Sequence, residues 1–178
     1  LVDYGKVEFA EYIVNRPPHV KLIGLDRSAE FTFSLLKKID EEFLRRMEMF
    51  KRAGVIDITE YKYKFGVRSL PRIIFIVDEF HQMTQAIQDE PYYARILENM
   101  LAEYRKFGLA CVFSDQAISV GLRGLTEKGR MQIRARIAMA NDMSEIRETL
   151  SVDNSFYDDA LRNKMNHMDR GDVIFRRS

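Results

Sequence analysis

The stretch "RIIFIVDEF", residues 72–80, constrains this chain more than any other. Five apolar residues, Ile73 to Val77, run without alternation into two adjacent carboxylates, Asp78 and Glu79. A strand apolar at consecutive positions buries both faces, the habit of parallel strands covered by helices. Two charges at its end are tolerable only where water, cations or hydrogen-bond donors meet them. The stretch therefore predicts a buried parallel strand whose carboxyl end carries a polar site.

The rest of the chain supports an open α/β sheet. Short apolar runs at 20–26, 109–115, 135–141 and 172–177 read as further strands, and the opening "LVD" as the end of another. Between them lie helical periodicities. One helix is predicted from Ser28 to Gly54, with Leu35, Ile39, Phe43, Met47 and Phe50 on its apolar stripe. A second runs from Pro91 to Gly108, carrying Leu97, Leu101 and Tyr104, and a short one covers 144–150. Residues 55–71 read as a connecting loop. Strand and helix alternating in this way imply right-handed crossovers, with ligands beyond the carboxyl ends of the strands. Asp78 and Glu79 fall at one such end, and "SDQ" (114–116) at the next.

Composition excludes several classes. The 178 residues make one domain or most of one, and a net charge of +1 argues against a polybasic nucleic-acid binder. A single cysteine, Cys111, excludes an internal disulfide; set in an apolar run, it is expected as a buried, reduced thiol in a reducing compartment. No apolar run approaches the roughly 20 residues of a membrane span. The chain opens without Met and is expected to be a segment of something longer.

The acidic pair suits phosphoryl transfer, which needs a metal ion to neutralise phosphate charge and a group that orients the attacking water. Asp78 would hold Mg²⁺ through its water shell. Glu79 would polarise the nucleophile, and Gln116 would sense the γ-phosphate or hold that water. The plain alternative makes Asp78 a helix cap and Glu79 a solvated side chain. A phosphate loop, G-x-x-x-x-G-K-[ST], is matched in spacing only by "GLTEKGRM" (124–131). There Arg130 replaces the lysine, Met131 cannot ligate Mg²⁺ and no strong strand precedes, so this stretch is rejected. Arg123, Lys128 and Arg130 are candidates for a loop gripping the phosphates of a polymer, against a solvated loop lacking interleaved aromatic residues. His19, His81 and His167 have no ligand spacing, and His81 is expected on the helix after the acidic pair.

In order along the chain, "VDYGKVEFAEY", "RPPHVKLIGLD", the long charged helix with its Gly54, Val55, Ile58, Tyr61 tail, "RIIFIVDEF", "YRKFGLACVFSDQ", "IRARIAMANDMSEIRETL" and "RGDVIF" resemble segments of the FtsK/SpoIIIE motor ATPases. The resemblance implies a RecA-like P-loop ATPase core, a mostly parallel sheet flanked by helices. Residues 1–178 would be a partial domain carrying the Walker B, sensor and arginine-finger regions, with the Walker A segment upstream. Asp78 would be the Walker B Mg²⁺ residue, Glu79 the catalytic glutamate, Gln116 the sensor and Arg136 a finger completing a neighbouring subunit's site. The chain departs from the family at Asp3-Tyr4-Gly5, where Asp-Pro-Lys is usual, at Asp115 in place of Thr, and at "AISV" in place of Arg-Pro-Ser.

The implied function is part of an ATP- and Mg²⁺-dependent ring motor, a homo-hexamer on the cytoplasmic side whose membrane anchor would lie outside this chain. Its polymer would be double-stranded DNA, as in chromosome segregation or conjugative transfer. The alternatives are a type VII secretion ATPase moving protein substrates, a degenerate ATPase-fold module used in assembly or docking, and an unrelated α/β binding domain.

Overall fold

A computed structural model of the chain describes residues 1–4, 8–150 and 159–177. Gly5, one of the departures noted above, lies outside them. Strands β1 (Val2–Asp3), β2 (Ile73–Asp78) and β3 (Leu109–Phe113) form a parallel sheet in that order. β2 pairs with β3 from Ile73↔Leu109 to Val77↔Phe113, and β1 sets Asp3 opposite Asp78.

The long connection from β1 to β2 holds α1 (Glu11–Val14), α2 (Ala29–Ala53) and α3 (Ile58–Phe65). Helix α2 begins where expected, because the Ser28 hydroxyl accepts the Phe31 N–H at 3.2 Å. It stops at Gly54, whose φ of 67° is open to glycine at little cost. The anticipated stripe holds at Leu35, Phe43 and Phe50, which are buried, but Met47 is exposed and Arg46 takes its place. At 100° per residue, Met47 lies about 120° around the helix from Leu35, and Arg46 only about 20°. Arg46 is satisfied there by Glu42 at 2.7 Å and by the carbonyls of Phe107 and Pro71, both at 2.9 Å.

Residues 55–71 are not a plain loop. Asp57 accepts the N–H groups of Thr59 (2.6 Å) and Glu60 (2.9 Å), Glu60 accepts the N–H of Ile56, the residue before the cap, and α3 follows. The helix is short and buries only Ile58, so its periodicity is faint. The strand anticipated over 20–26 reduces to one bridge, Val2↔Gly24, because β1 offers only two residues to pair with.

After β2 come α4 (Phe80–Ala86) and α5 (Pro91–Ala102), then a 3₁₀ turn over Tyr104–Phe107 that ends at Gly108. The single helix expected from Pro91 to Gly108 therefore breaks at Glu103. Tyr104 is buried against Phe43 (ring centroids 3.9 Å apart) and bonded to Asp40, and Phe107 packs edge-on to Phe43. Helices α6 (Ile118–Arg123) and α7 (Glu127–Met131) lead from β3 to β4 (Ala135–Met139), followed by α8 (Met143–Leu150), α9 (Asp159–Asn166) and β5 (Val173–Arg177).

The two last strands do not extend the parallel sheet, as the sequence had implied. They pair antiparallel with each other, Ala135↔Arg177 to Met139↔Val173, as a separate two-stranded sheet. Ala138 packs there with Ile146, Leu150 and Met165 in a small core of its own. The main core gathers Phe75 and Val77 with Leu36, Phe80, Met83 and Leu97. Ile74 and Val112, on the opposite sheet face, are 62% and 50% exposed. Among the described residues, then, only one sheet face is packed, and the expectation of strands covered on both faces is corrected. No described helix is long and apolar enough to cross a membrane.

Candidate active site

The site lies at the carboxyl ends of β1, β2 and β3. Pairing continues past β3, where the Ser114 N–H donates to the Val77 carbonyl at 2.9 Å and the Phe80 N–H to the Ser114 carbonyl at 3.1 Å. Between these bonds the chain must turn from strand to helix in one residue, and it does so at Glu79. Its φ and ψ of 55° and 52° are left-handed, and it is the one non-glycine residue with positive φ among those described. That conformation costs an L-residue about 1–2 kcal/mol and persists only where the surroundings impose it.

The turn separates the two carboxylates. Asp78 stays in line with β2, in register with Asp3, which is fully buried and accepts the Glu8 N–H at 3.1 Å. The ligand oxygens of Asp3, Glu8 and Asp78 lie within 4.8 Å of one another. Such a set of hard oxygen donors fits Mg²⁺ chemistry.

Glu79 is directed towards the end of β3 instead. Gln116 donates from Nε2 to Glu79 Oε1 at 3.3 Å, so the structure brings together two of the residues singled out in the sequence, while Asp78 stands apart with Asp3 and Glu8. Its setting also includes two residues that sequence reasoning did not combine. His81 Nδ1 is 3.5 Å from Glu79 Oε2 and 2.9 Å from Asp115 Oδ1. The Asp115 side chain is fully enclosed and accepts the main-chain N–H groups of His81 (2.6 Å) and Ala117 (2.9 Å). His81 does stand in the first turn of α4, as expected, but it is not isolated: it meets both acids. The legible signal was Asp115, a charge where the resembling family has a hydroxyl.

The other candidates lie apart from this cluster. Arg136, on β4, donates to the carbonyls of Arg130 (2.8 Å), Ile133 (2.9 Å) and Thr149 (3.2 Å) of its own chain. Burial, and then the nearby Arg176, lowers its pKa from the ordinary value. Arg123 ends α6 and Lys128 lies on α7, both exposed, whereas Arg130 is partly buried and its Nε has no acceptor among the described residues. The stretch 124–131 follows helix α6 rather than a strand, and Thr126 caps α7 by accepting the Gly129 N–H at 3.2 Å, a geometry unlike a phosphate loop. The carboxyl ends of β3 and β4 are tied by Asn141, which donates to the Gln116 carbonyl at 3.0 Å.

No protein-family model and no curated protein matches the sequence. Solved structures do match in fold. The cytoplasmic domain of the type VII secretion ATPase EccC of Thermomonospora curvata aligns with all of this chain and 20% of its own, at TM-score 0.69 and 17% identity. EssC (ATPases 2 and 3) of Geobacillus thermodenitrificans aligns with 99% of this chain and 30% of its own, at TM-score 0.71 and 19% identity. The pCW3 conjugation coupling protein TcpA, a monomer with ATPγS, aligns with all of this chain and 49% of its own, at TM-score 0.63 and 16% identity. This chain thus spans from a fifth to a half of these neighbours' lengths. Taken with the parallel three-stranded sheet and its flanking helices, these likenesses show that the chain has the fold of the FtsK/SpoIIIE-type ATPase domains.

Proposed function

We propose that this chain is the Walker B and sensor portion of an ATP-hydrolysing motor of the FtsK/SpoIIIE class, a partial domain of a ring-forming protein. The observation that carries the reading is the acidic pair at the end of β2, split by the left-handed Glu79 so that Asp78 faces Asp3 while Glu79 meets Gln116. Mg²⁺ bound with the nucleotide would neutralise phosphate charge. Asp78 would hold that ion through water, with Asp3 and Glu8 as neighbouring oxygen donors. Glu79 would accept the proton of the attacking water, and Gln116 would orient the same carboxylate. Retention of Asp78, Glu79 and Gln116 at neighbouring strand ends supports hydrolysis over a degenerate docking module.

The polymer moved is protein or double-stranded DNA. Likeness to type VII secretion ATPases supports the first, and likeness to a conjugation coupling protein the second. Exposed Arg123 and Lys128 would be among the cations offered to a phosphate backbone. Titrating the full-length protein with duplex DNA over a salt series separates the two, since phosphate contacts make affinity fall steeply with salt. Hydrolysis is tested in the full-length protein by Glu79→Gln, expected to stop turnover while nucleotide still binds. Wild-type turnover in that variant overturns the reading. The 178-residue chain alone, with no G-x-x-x-x-G-K-[ST] sequence, is expected to be inactive.

A further inference from the structure

Glu79 shares its end of the sheet with a histidine and an aspartate that the roles above leave unused. Asp115 is enclosed and acts as an acceptor throughout: from the His81 and Ala117 main chain, and from His81 Nδ1, which lies 2.9 and 3.1 Å from its two oxygens. The hydrogen of that last bond must come from the ring, so Nδ1 carries it. The other ring nitrogen, Nε2, is 2.9 Å from the Gln82 amide nitrogen, a donor, and therefore accepts. Both contacts select the same tautomer, Nδ1–H.

The same ring edge also lies against Glu79, with Nδ1 3.5 Å from Oε2 although its hydrogen goes to Asp115, while Gln116 reaches Oε1 at 3.3 Å. One carboxylate oxygen thus faces an amide from the end of β3, and the other an imidazole edge from α4. Gly121 on α6 closes the back of the arrangement. A Cβ there would lie 2.9 Å from the Phe80 ring, 3.2 Å from the Asp115 carboxylate and 3.3 Å from the His81 main-chain nitrogen. The ring therefore has a fixed acceptor behind it, and that acceptor is itself packed against α6.

We propose that His81, oriented by Asp115, is a positioning residue that holds the Glu79 carboxylate in its reactive orientation. This rests on the reading of Glu79 as the group that activates water. A glutamate side chain has several rotatable bonds, and a displacement of about 1 Å at a reacting group can lower a rate by about two orders of magnitude. Restraint from two elements removes that freedom before the nucleotide arrives.

Two measurements test the role. In the ¹⁵N-histidine-labelled 178-residue chain, the ring-nitrogen shifts of His81 should report the Nδ1–H tautomer; an Nε2–H ring overturns the proposal. In the full-length protein, His81→Ala should lower kcat roughly 10- to 100-fold, the range for lost second-layer partners, with nucleotide affinity unchanged. His81→Asn, whose amide can still donate to Asp115 and Glu79, should recover part of the loss at an unchanged melting temperature. A wild-type kcat in His81→Ala, beside an inactive Glu79→Gln, overturns the positioning role alone. So does a loss that tracks a fall in melting temperature and is not recovered by Asn. Full turnover in Glu79→Gln instead removes the catalytic reading, and the role of His81 with it.

Discussion

Asp3 and Asp78 stand opposite each other in the parallel pairing of β1 and β2, 75 positions apart in the chain, with Asp3 wholly buried. Two carboxylates held side by side repel unless a cation or a donor sits between them. Millimolar Mg²⁺ should therefore raise the melting temperature of the 178-residue chain over that in EDTA. A ligand near its dissociation constant to tenfold above it contributes about 0.4–1.4 kcal/mol. Asp78→Asn should abolish the Mg²⁺-dependent gain, and thermal denaturation in both buffers checks it.

Glu79 sits at φ 55°, where glycine is at ease and other residues are not. Of two inactive variants, Glu79→Gly should be more stable than Glu79→Ala by about 1 kcal/mol, because only alanine retains the Cβ clash of the left-handed region. Urea denaturation of the two chains measures the difference. Equal stabilities would mean that this residue does not hold the left-handed turn in solution.

Arg136 has three carbonyl acceptors in its own chain, linking β4 to the end of α8, to α7 and to the segment after it. Arg136→Ala should destabilise the chain by about 1–3 kcal/mol, since it leaves part-buried acceptors without donors. A finger acting in trans requires the guanidinium to leave those carbonyls. Mixing full-length Arg136→Ala with full-length Glu79→Gln distinguishes the two uses: regained turnover marks a finger, and none marks an internal tie.

Cys111, expected to be buried, is only half-buried on β3 against the main core, and that burial still pushes its thiol up to about 12. The thiolate is the reactive form, so at pH 8 only about one molecule in 10⁴ carries it. Native chain should react with a thiol reagent far more slowly than chain in urea. The native rate should rise roughly tenfold per pH unit while the fold persists, and a fast native reaction at pH 8 would contradict the burial.

Gly121 is the contact point of α6 with Phe80, His81 and Asp115. Gly121→Ala should cost about 1–3 kcal/mol through overpacking, and in the full-length protein it should also lower turnover by displacing the His81–Asp115 pair. Chemical denaturation and a turnover assay at a temperature where the variant remains folded check the two effects separately.

What the sequence alone determined is local. Ser28 and Gly54 bound α2 because a cap and a left-handed stop act on their own neighbours. The run Ile73 to Val77 specifies a strand but not that one of its faces stays open, and Asp78 and Glu79 follow at its carboxyl end because charge cannot continue into the core. Gln116 could be placed at the tip of the next strand by the same argument. What only the tertiary structure decided is which distant groups meet. His81 and Asp115 are 34 residues apart, and polar partners leave no periodic mark in a sequence. Helix geometry already puts Arg46 rather than Met47 on the buried stripe, but the burial of its charge depends on where Phe107 and Pro71 present their carbonyls. The antiparallel pairing of β4 and β5 is equally invisible, since apolar runs of this length state that a strand exists and not which edge receives it. Local propensity acts over a few residues. Register, facing and the pairing of buried charge are settled by the packed whole.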